Sequence, residues 1–374
     1  MSITRLGDIA KIRTGKLDAN ASSENGKYPF FTCSKDTLRI DSYSYDCECV
    51  LVAGNGDLNV KYYKGKFDAY QRTYIIEDNS DGRLYIPYLY YYLDLYVEEL
   101  RKQSIGGVIK YIKLGNLTDA IINLPSIETQ KEIVKILDKS RKIIENKNMQ
   151  LEEYDKLIKS RFVEMFGDPI TNNKGWDVKD LNEITDVRDG THDSPKYVDI
   201  GYPFVTSKNL VNGNIDFSTC QLISKDDLEK INQRSFVDDG DILMPMIGTI
   251  GGAIIVKKDR DFAIKNVALI KFNKENSIVD RKFILNVLNS DSMNEFFNSI
   301  KKGGTQNFIS LGLIRKIPTI IPPLKLQNEF ALFVEQVDKL KFENEILYSI
   351  SRFTINKQTK LLGYRGVTLW ILII

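Results

Sequence analysis

The sequence predicts an α+β fold made of two similar domains and two long helices of coiled-coil type. Three observations carry this: residues of the first half recur in the second, a Lys/Glu-rich segment of seven-residue period follows the first half, and a comparable segment follows the second. Ile105-Gly106-Gly107, Tyr111-Ile112, Leu114-Gly115, Pro125 and Gln130 reappear as Lys302-Gly303-Gly304, Phe308-Ile309, Leu311-Gly312, Pro322 and Gln327. The separation is 197 positions from Gly106 to Gly303 and still 197 from Gln130 to Gln327. Leu6-Gly7-Asp8-Ile9 faces Leu181-Asn182-Glu183-Ile184, and Tyr28-Pro29-Phe30 with Thr32 faces Tyr202-Pro203-Phe204 with Thr206, here 174 positions apart from Tyr28 to Tyr202. The second copy is therefore longer in its middle by 197 less 174, or 23 residues. A period this long marks a duplicated domain and not a solenoid, whose repeats run to tens of residues.

Taken in order, the first copy carries the strand-like run Cys49-Val50-Leu51-Val52, the turn signal Asn55-Gly56 and an amphipathic helix expected from Pro87 to Leu100. From Gln130 to Met165 there is no Pro or Gly, and Leu137, Ile144, Leu151, Ile158 and Met165 recur every seven residues. Ile133 and Tyr154 stand four residues before Leu137 and Ile158, which completes an apolar seam. Ser140 and Lys147 occupy the companion seam position, so the seam specifies a partner at some cost in stability. Ser126 after Pro125 can cap the start, and Gly167-Asp168-Pro169 ends the helix. Its 36 residues from Gln130 to Met165 would extend about 54 Å, a spacer by dimension.

The second copy repeats the mixture, with strand-like runs from Gly252 to Val256 and Ala268 to Phe272, turn signals at Asn212-Gly213 and Gly251-Gly252, and one short helix expected from Lys282 to Phe297. After Pro322-Pro323 a second long helix is expected, with Phe333, Leu340, Leu347 and Leu361 on a seven-residue step, Thr354 between them, and Phe330 and Val337 on the neighbouring seam. Either helix alone is marginal in water, so the two are expected to bury their seams against each other.

A chain of 374 residues has room for two domains of ordinary size. Its 52 Lys and Arg against 50 Asp and Glu leave a formal charge of +2, which excludes no class of partner, because local patches hold phosphate on proteins that are near neutral overall. Arg101, Lys102, Lys110 and Lys113 stand between positions 101 and 116 without an acid, and Lys301, Lys302, Arg315 and Lys316 between 301 and 316 again without one. Each patch surrounds a Gly-Gly pair. One such run is ordinarily solvated surface; two at equivalent positions of a repeat weaken that reading. Cys33, Cys47, Cys49 and Cys220 lack the spacing of a structural zinc site and read as free thiols of a cytosolic protein. No apolar signal region opens the chain and no stretch reaches the roughly 18 apolar residues of a membrane span, so an intracellular, soluble protein is expected.

A catalytic constellation is missing. The single histidine, His192, lies beside Asp193 and Ser194 and reads as a loop residue, not a base. Gly248-x-x-Gly251-Gly252 lacks the Lys-Ser/Thr of a phosphate loop, and Ala53-Gly54-Asn55-Gly56-Asp57 reads as a strand turn, with no helix pattern after it. Ile321-Pro322-Pro323-Leu324 lacks the Asn and aromatic of amino-methylating enzymes.

Leu124-Pro125-Ser126-Ile127-Glu128-Thr129-Gln130 and Ile321-Pro322-Pro323-Leu324-Lys325-Leu326-Gln327, each opening a long helix after a variable domain, resemble the specificity subunit of type I restriction-modification systems. Arg161-Phe162, Phe166-Gly167-Asp168-Pro169 and the Leu-x-x-Ile openings at Leu6 and Leu181 add to the resemblance, which covers roughly residues 1 to 345. It implies a target-recognition domain over 1–125, a long central helix over 126–168, a second target-recognition domain over 169–322 and a second long helix over 323–362, the helices pairing antiparallel as a coiled coil. Each recognition domain would read one half of a split sequence in double-stranded DNA. The helices would hold two modification subunits that methylate adenine with S-adenosylmethionine, and restriction subunits would add ATP- and Mg-dependent translocation and cleavage. This chain would bind no cofactor itself.

DNA reading needs cations for phosphate and polar side chains for base edges. The candidates are Lys61, Tyr62, Lys64, Lys66, Gln71, Arg72, Lys110 and Lys113 in the first copy, and Arg188, Lys196, Ser207, Lys208, Asn209, Lys301, Lys302, Gln306 and Asn307 in the second. From Gly363 to Ile374 the chain turns apolar where the resemblance implies a polar helix. That end leaves open a terminal packing segment, or a recombined or silent, truncated gene copy. A free-standing dimeric regulatory DNA-binding protein is the other open reading.

Overall fold

The computed structural model describes residues 2–247, 252–272, 277–300 and 308–361. The chain divides into two compact units, one from Met1–Met149 together with the chain from Asn344, the other from Gln150–Glu343.

In the first unit, six strands form one sheet in the order Ala10–Thr14, Thr73–Asp78, Tyr45–Ala53, Val60–Ala69, Tyr28–Phe31, Leu38–Ile40. The strand Tyr45–Ala53 alternates between two cores because successive side chains leave opposite faces of a sheet. Val50 and Val52 pack under the helix Ile86–Gln103, with Tyr88, Leu89, Tyr92 and Leu93, while Cys49 and Leu51 pack on the other face with Phe31 and Phe67. A short ribbon of Ser2–Arg5 against Ile121–Leu124 closes the unit.

The second unit repeats this frame with a different middle. Asp186–Asp189, Val267–Lys271, Ile242–Pro245 and Ile254–Ile255 form one sheet, Gln221–Ile223, Tyr197–Thr206 and Ala263–Lys265 a second. Asp177–Asp180 pairs with Pro318–Ile321 as the counterpart of the first ribbon. The repeat persists at the level of single hydrogen bonds. Leu6 N–H donates to Ala120 O at 2.8 Å and Leu181 N–H to Ile317 O at 3.0 Å, while Ile112 N–H reaches Gly54 O and Ile309 N–H reaches Met246 O, both at 2.9 Å. Phe30-Phe31 runs parallel to Asp68-Ala69, as Phe204-Val205 does to Ala263-Ile264. The second copy adds a two-residue hairpin at Leu210–Val211 and Asn214–Ile215 and the helix Lys225–Ser235, on either side of the strand Gln221–Ile223 that pairs as Leu38–Ile40 does in the first copy.

The helix expected from Lys282 to Phe297 is instead two helices, Arg281–Leu288 and Asp291–Ile300. Asn289 ends the first, since its side chain both donates to Ala253 O at 2.9 Å and accepts from Ala253 N–H at 2.8 Å, and Ser290 Oγ accepts from Met293 N–H at 3.2 Å to start the second.

The long helices run over Ile127–Phe166 and Leu324–Leu361. In the first unit the start of the former, through Ile133, Val134, Leu137 and Ile144, shares a core with Tyr348 and Ile355 of the latter. In the second unit the end of the former, through Ile158, Phe162 and Phe166, meets Phe330, Val334 and Val337, with Phe330 5.5 Å from both phenylalanine rings. The pairing is therefore antiparallel. On the first helix the expected seam holds, Ser140 included, which is buried. On the second helix it holds at Phe330 and Val337 and fails at Leu340 and Leu347, which are 45% and 47% exposed; the buried line is Gln327, Phe330, Val334, Val337, Asn344, Ser351 and Ile355. The second helix is apolar on more than one side, and the side that wins is the one whose Phe330 fits between Phe162 and Phe166. Leu332, Phe342, Ile346, Ile350 and Phe353 are left exposed as well.

One residue type fastens each long helix to its domain. Gln130, fully buried, accepts from Tyr85 N–H at 2.8 Å and donates to Arg83 O at 2.7 Å and Pro125 O at 2.9 Å. Gln327, equally buried, accepts from Asp280 N–H at 2.8 Å and donates to Ile278 O at 3.2 Å and Pro322 O at 2.8 Å. In both copies the amide saturates the chain that leads into the short helix and the proline loop before the long one, groups that burial would otherwise leave unpaired.

Candidate nucleic-acid interface

Each copy brings a tight turn against a glycine. In the first, Tyr70-Gln71-Arg72 links the strands ending at Ala69 and starting at Thr73; in the second, Lys265-Asn266 links Ile264 to Val267. Gly15 N–H donates to Thr73 O and Gly190 N–H to Val267 O, each at 3.0 Å. A Cβ at Gly15 would stand 2.1 Å from Ala69 O and one at Gly190 2.3 Å from Ile264 O, so neither site accepts another residue without the backbone parting. Arg72 and Asn266 therefore hold equivalent places.

Around the first turn lies a cleft of about 300 Å³ lined by Thr14, Gly54, Gln71, Arg72, Tyr74 and Ile112. Gly54 N–H donates to Arg72 O at 2.8 Å and Gly56 N–H to Lys110 O at 2.9 Å, which joins Gln71, Arg72 and Lys110 in one cluster of loops. The segment Ala53 to Asp57 is the strand turn the sequence predicts, and it is the hub of this cluster. Gln71, Arg72, Lys110 and Lys113 are exposed, and among the described residues the side chains of Gln71 and Arg72 have no hydrogen-bond partner.

The remaining candidates of the first copy make contacts within their own domain. Lys61 Nζ donates to Ser34 O at 2.5 Å and Asn59 Oδ1 at 2.9 Å, and burial lowers its pKa. Tyr62 donates to Glu48 at 2.8 Å, and burial together with that carboxylate pushes its hydroxyl up to about 12. Lys64 pairs with the same Glu48 at 3.0 Å, and Lys66 sits 4.7 Å above the Tyr43 ring.

In the second copy Arg188 is tied to Asp186 and to Arg234 O, and Asn209, expected as a base reader, is instead buried. Its amide accepts from Thr206 N–H at 2.8 Å and Thr206 Oγ1 at 2.9 Å and donates to Thr219 Oγ1 at 3.0 Å, so it shapes the turn after Thr206. Ser207 Oγ donates to Asn266 O at 3.1 Å, and Lys196 and Lys208 are exposed on the flanking loops. Lys301, Lys302, Gln306 and Asn307 lie outside the described residues, as does the end from Gly363.

The structure adds residues that composition does not mark. His192, exposed in its loop, places Nε2 3.0 Å from Asp189 and Nδ1 2.8 Å from the Asn266 amide, while buried Asp189 also accepts from Arg234. Lys265 Nζ donates to Ser194 Oγ. A cleft of about 230 Å³ runs between the loop of Gly190, Thr191 and Ser194 and the inserted helix at Lys230 and Arg234. The signal for these residues is the fold: His192 and Asn266 lie 74 positions apart and meet only once the strands pair. All four cysteines are free, and among the described residues no group of His, Cys, Asp or Glu is placed to hold a metal ion and no helix is long and apolar enough to cross a membrane.

Two domains of one frame, each presenting polar loops beside cations and each leading into a long helix, define a duplicated α+β protein with an equivalent loop face on each copy. The family model of the type I restriction modification DNA specificity domain matches residues 1–153 and 173–352, one stretch per copy, and the chain belongs to that family. It is 40% identical over 154 residues to the type I restriction enzyme EcoDI specificity subunit of Escherichia coli, an alignment covering 41% of this chain and 34% of that one. It is 24% identical over 366 residues to the type I restriction enzyme MjaVIII specificity subunit of Methanocaldococcus jannaschii, covering 90% and 86% of the two. The crystal structure of the type I restriction-modification S subunit from M. genitalium shares the fold, with a TM-score of 0.64 at 16% identity over 98% of this chain and 96% of that one.

Proposed function

We propose that this chain is the DNA sequence-specificity subunit of a type I restriction-modification complex, each copy reading one half of a bipartite target in double-stranded DNA. The observation that carries the reading is the pair of equivalent glycine-closed turns, Gln71-Arg72 and Lys265-Asn266, among exposed cations. Cations on the flanking loops would hold phosphates and fix register; the turn side chains would meet base edges. The long helices would space the readers, and their exposed apolar faces would seat two modification subunits. Those subunits would bring S-adenosylmethionine, and restriction subunits ATP and Mg, all within the cytoplasm; this chain would supply recognition and no catalysis.

Purification with and without a co-expressed modification subunit tests this. Co-elution with the methyltransferase, with log K for DNA falling by about 0.9 per phosphate neutralised as log salt rises, is the expected result. A stable DNA-binding homodimer that ignores the methyltransferase would establish the regulatory reading instead, and the absence of any salt-dependent binding to DNA would remove DNA as the ligand.

A further inference from the structure

We propose that Asn266 is the specificity-determining side chain of the second copy, its amide held in place by His192 and Asp189 to meet one base edge of the second half-site. This rests on the DNA-recognition reading and names the side chain that performs it.

Position comes first. Asn266 occupies the place that Arg72 holds in the first copy, immediately before the strand residue whose carbonyl accepts from the turn-closing glycine. Its φ is +52°, a left-handed conformation that Asn adopts more readily than most residues. Ser207 Oγ donates to its carbonyl at 3.1 Å, and the exposed Lys208 is the next residue after that serine.

Orientation comes next. The Asp189 carboxylate, 4% exposed, only accepts, so the His192 Nε2 at 3.0 Å carries the hydrogen. The other ring nitrogen, Nδ1, lies 2.8 Å from the Asn266 Oδ1, so the histidine fixes one end of that amide. An amide held at one end offers the other to a base edge, and in the major groove each base pair presents its own pattern of donors and acceptors to such a group. The buried carboxylate, also held by Arg234, gives the arrangement a fixed base, so the amide is set before DNA arrives.

The test uses the full chain with its modification subunit and a library of duplexes randomised in the second half-site, sequenced after methylation. Asn266→Gly removes the side chain while relaxing the left-handed backbone. Preference at a single position should fall about 10-fold or more, within the 1–3 kcal/mol of one base contact, with the first half-site and the salt slope unchanged. His192→Ala, at an exposed side chain, should broaden choice at that same position by releasing the amide, with binding to unselected DNA retained. An unchanged second-half profile in Asn266→Gly, or a His192→Ala profile altered elsewhere or not at all, overturns the proposal. If the unaltered chain directs no site-selective methylation, the recognition reading fails and this inference falls with it.

Discussion

Gln130 and Gln327 show how much one side chain can settle. Each closes three buried polar groups with a single amide, and no other natural side chain presents one acceptor and two donors at that reach except a shorter Asn. Replacing either by Ala strands a backbone N–H and two carbonyls, which should lower stability by about 1–3 kcal/mol per group left unpaired; urea unfolding should show an earlier midpoint at unchanged slope. Glu at the same site keeps the acceptor and loses both donors, so it should rescue only part of the loss. Lys110 and Lys113 act differently, since both are exposed at the first cluster of loops. Changing both to Ala should weaken binding to every DNA sequence alike and flatten the salt slope by about 0.9 for each phosphate no longer neutralised. A binding titration across salt concentrations checks this, and weakening confined to one target sequence would contradict it.

At the scale of elements, the second long helix separates two roles that the sequence blends. Val337 lies in the buried line and Leu340 and Leu347 lie outside it. Val337→Ala should cost about 1–3 kcal/mol of stability, whereas Leu340→Glu with Leu347→Glu should leave the melting temperature of the chain unchanged and weaken its capture of a modification subunit. Equal loss of stability in both variants would place the seam on Leu340 and Leu347 after all. The repeat was legible in the sequence because its markers are the residues that make identical bonds in both copies, Gln130 and Gln327 above all. The first seam was legible because apolar residues mark it at every seven-residue step from Leu137 to Met165, although Ile136, Ile143 and Leu157 stay exposed on the same helix. The second was not, because Thr354 interrupts its seven-residue step and several faces are apolar, and the choice was made by Phe162 and Phe166 on a helix far away in sequence. The break at Asn289 depends on Ala253 and the His192–Asn266 contact on strand pairing, so no local pattern announces either. Asn209 misled for a related reason: a polar residue in a loop reads as exposed, and only the fold reveals that Thr206 and Thr219 consume its amide.

At the scale of the whole molecule, the long helices carry the spacing claim. Arg141 pairs with Asp94 at 2.8 Å and lies 5.0 Å over the Tyr91 ring, so the helix near it is part of the first domain and tolerates no deletion. Lys341 pairs with Asp155 at 2.5 Å, which marks neighbouring points on the two helices. Removing one heptad beside each, residues 148–154 and 342–348, keeps both seams in phase and shortens each helix by about 10.5 Å at 1.5 Å per residue. Half-sites should then be preferred closer by up to about three base pairs at roughly 3.4 Å of axis each, with the bases in each half unaltered. Methylation of sites with varied spacers checks it, and activity only at the original spacer would mean that the helices do not set the distance. The central claim is that the two copies read independently. Its most direct test exchanges residues 1–124 for the equivalent part of a relative and maps methylated adenines in DNA modified by the assembled complex. A two-part target in which one half changes and the other stays as it was is the predicted result; a target changed in both halves, or one without two parts, would contradict it.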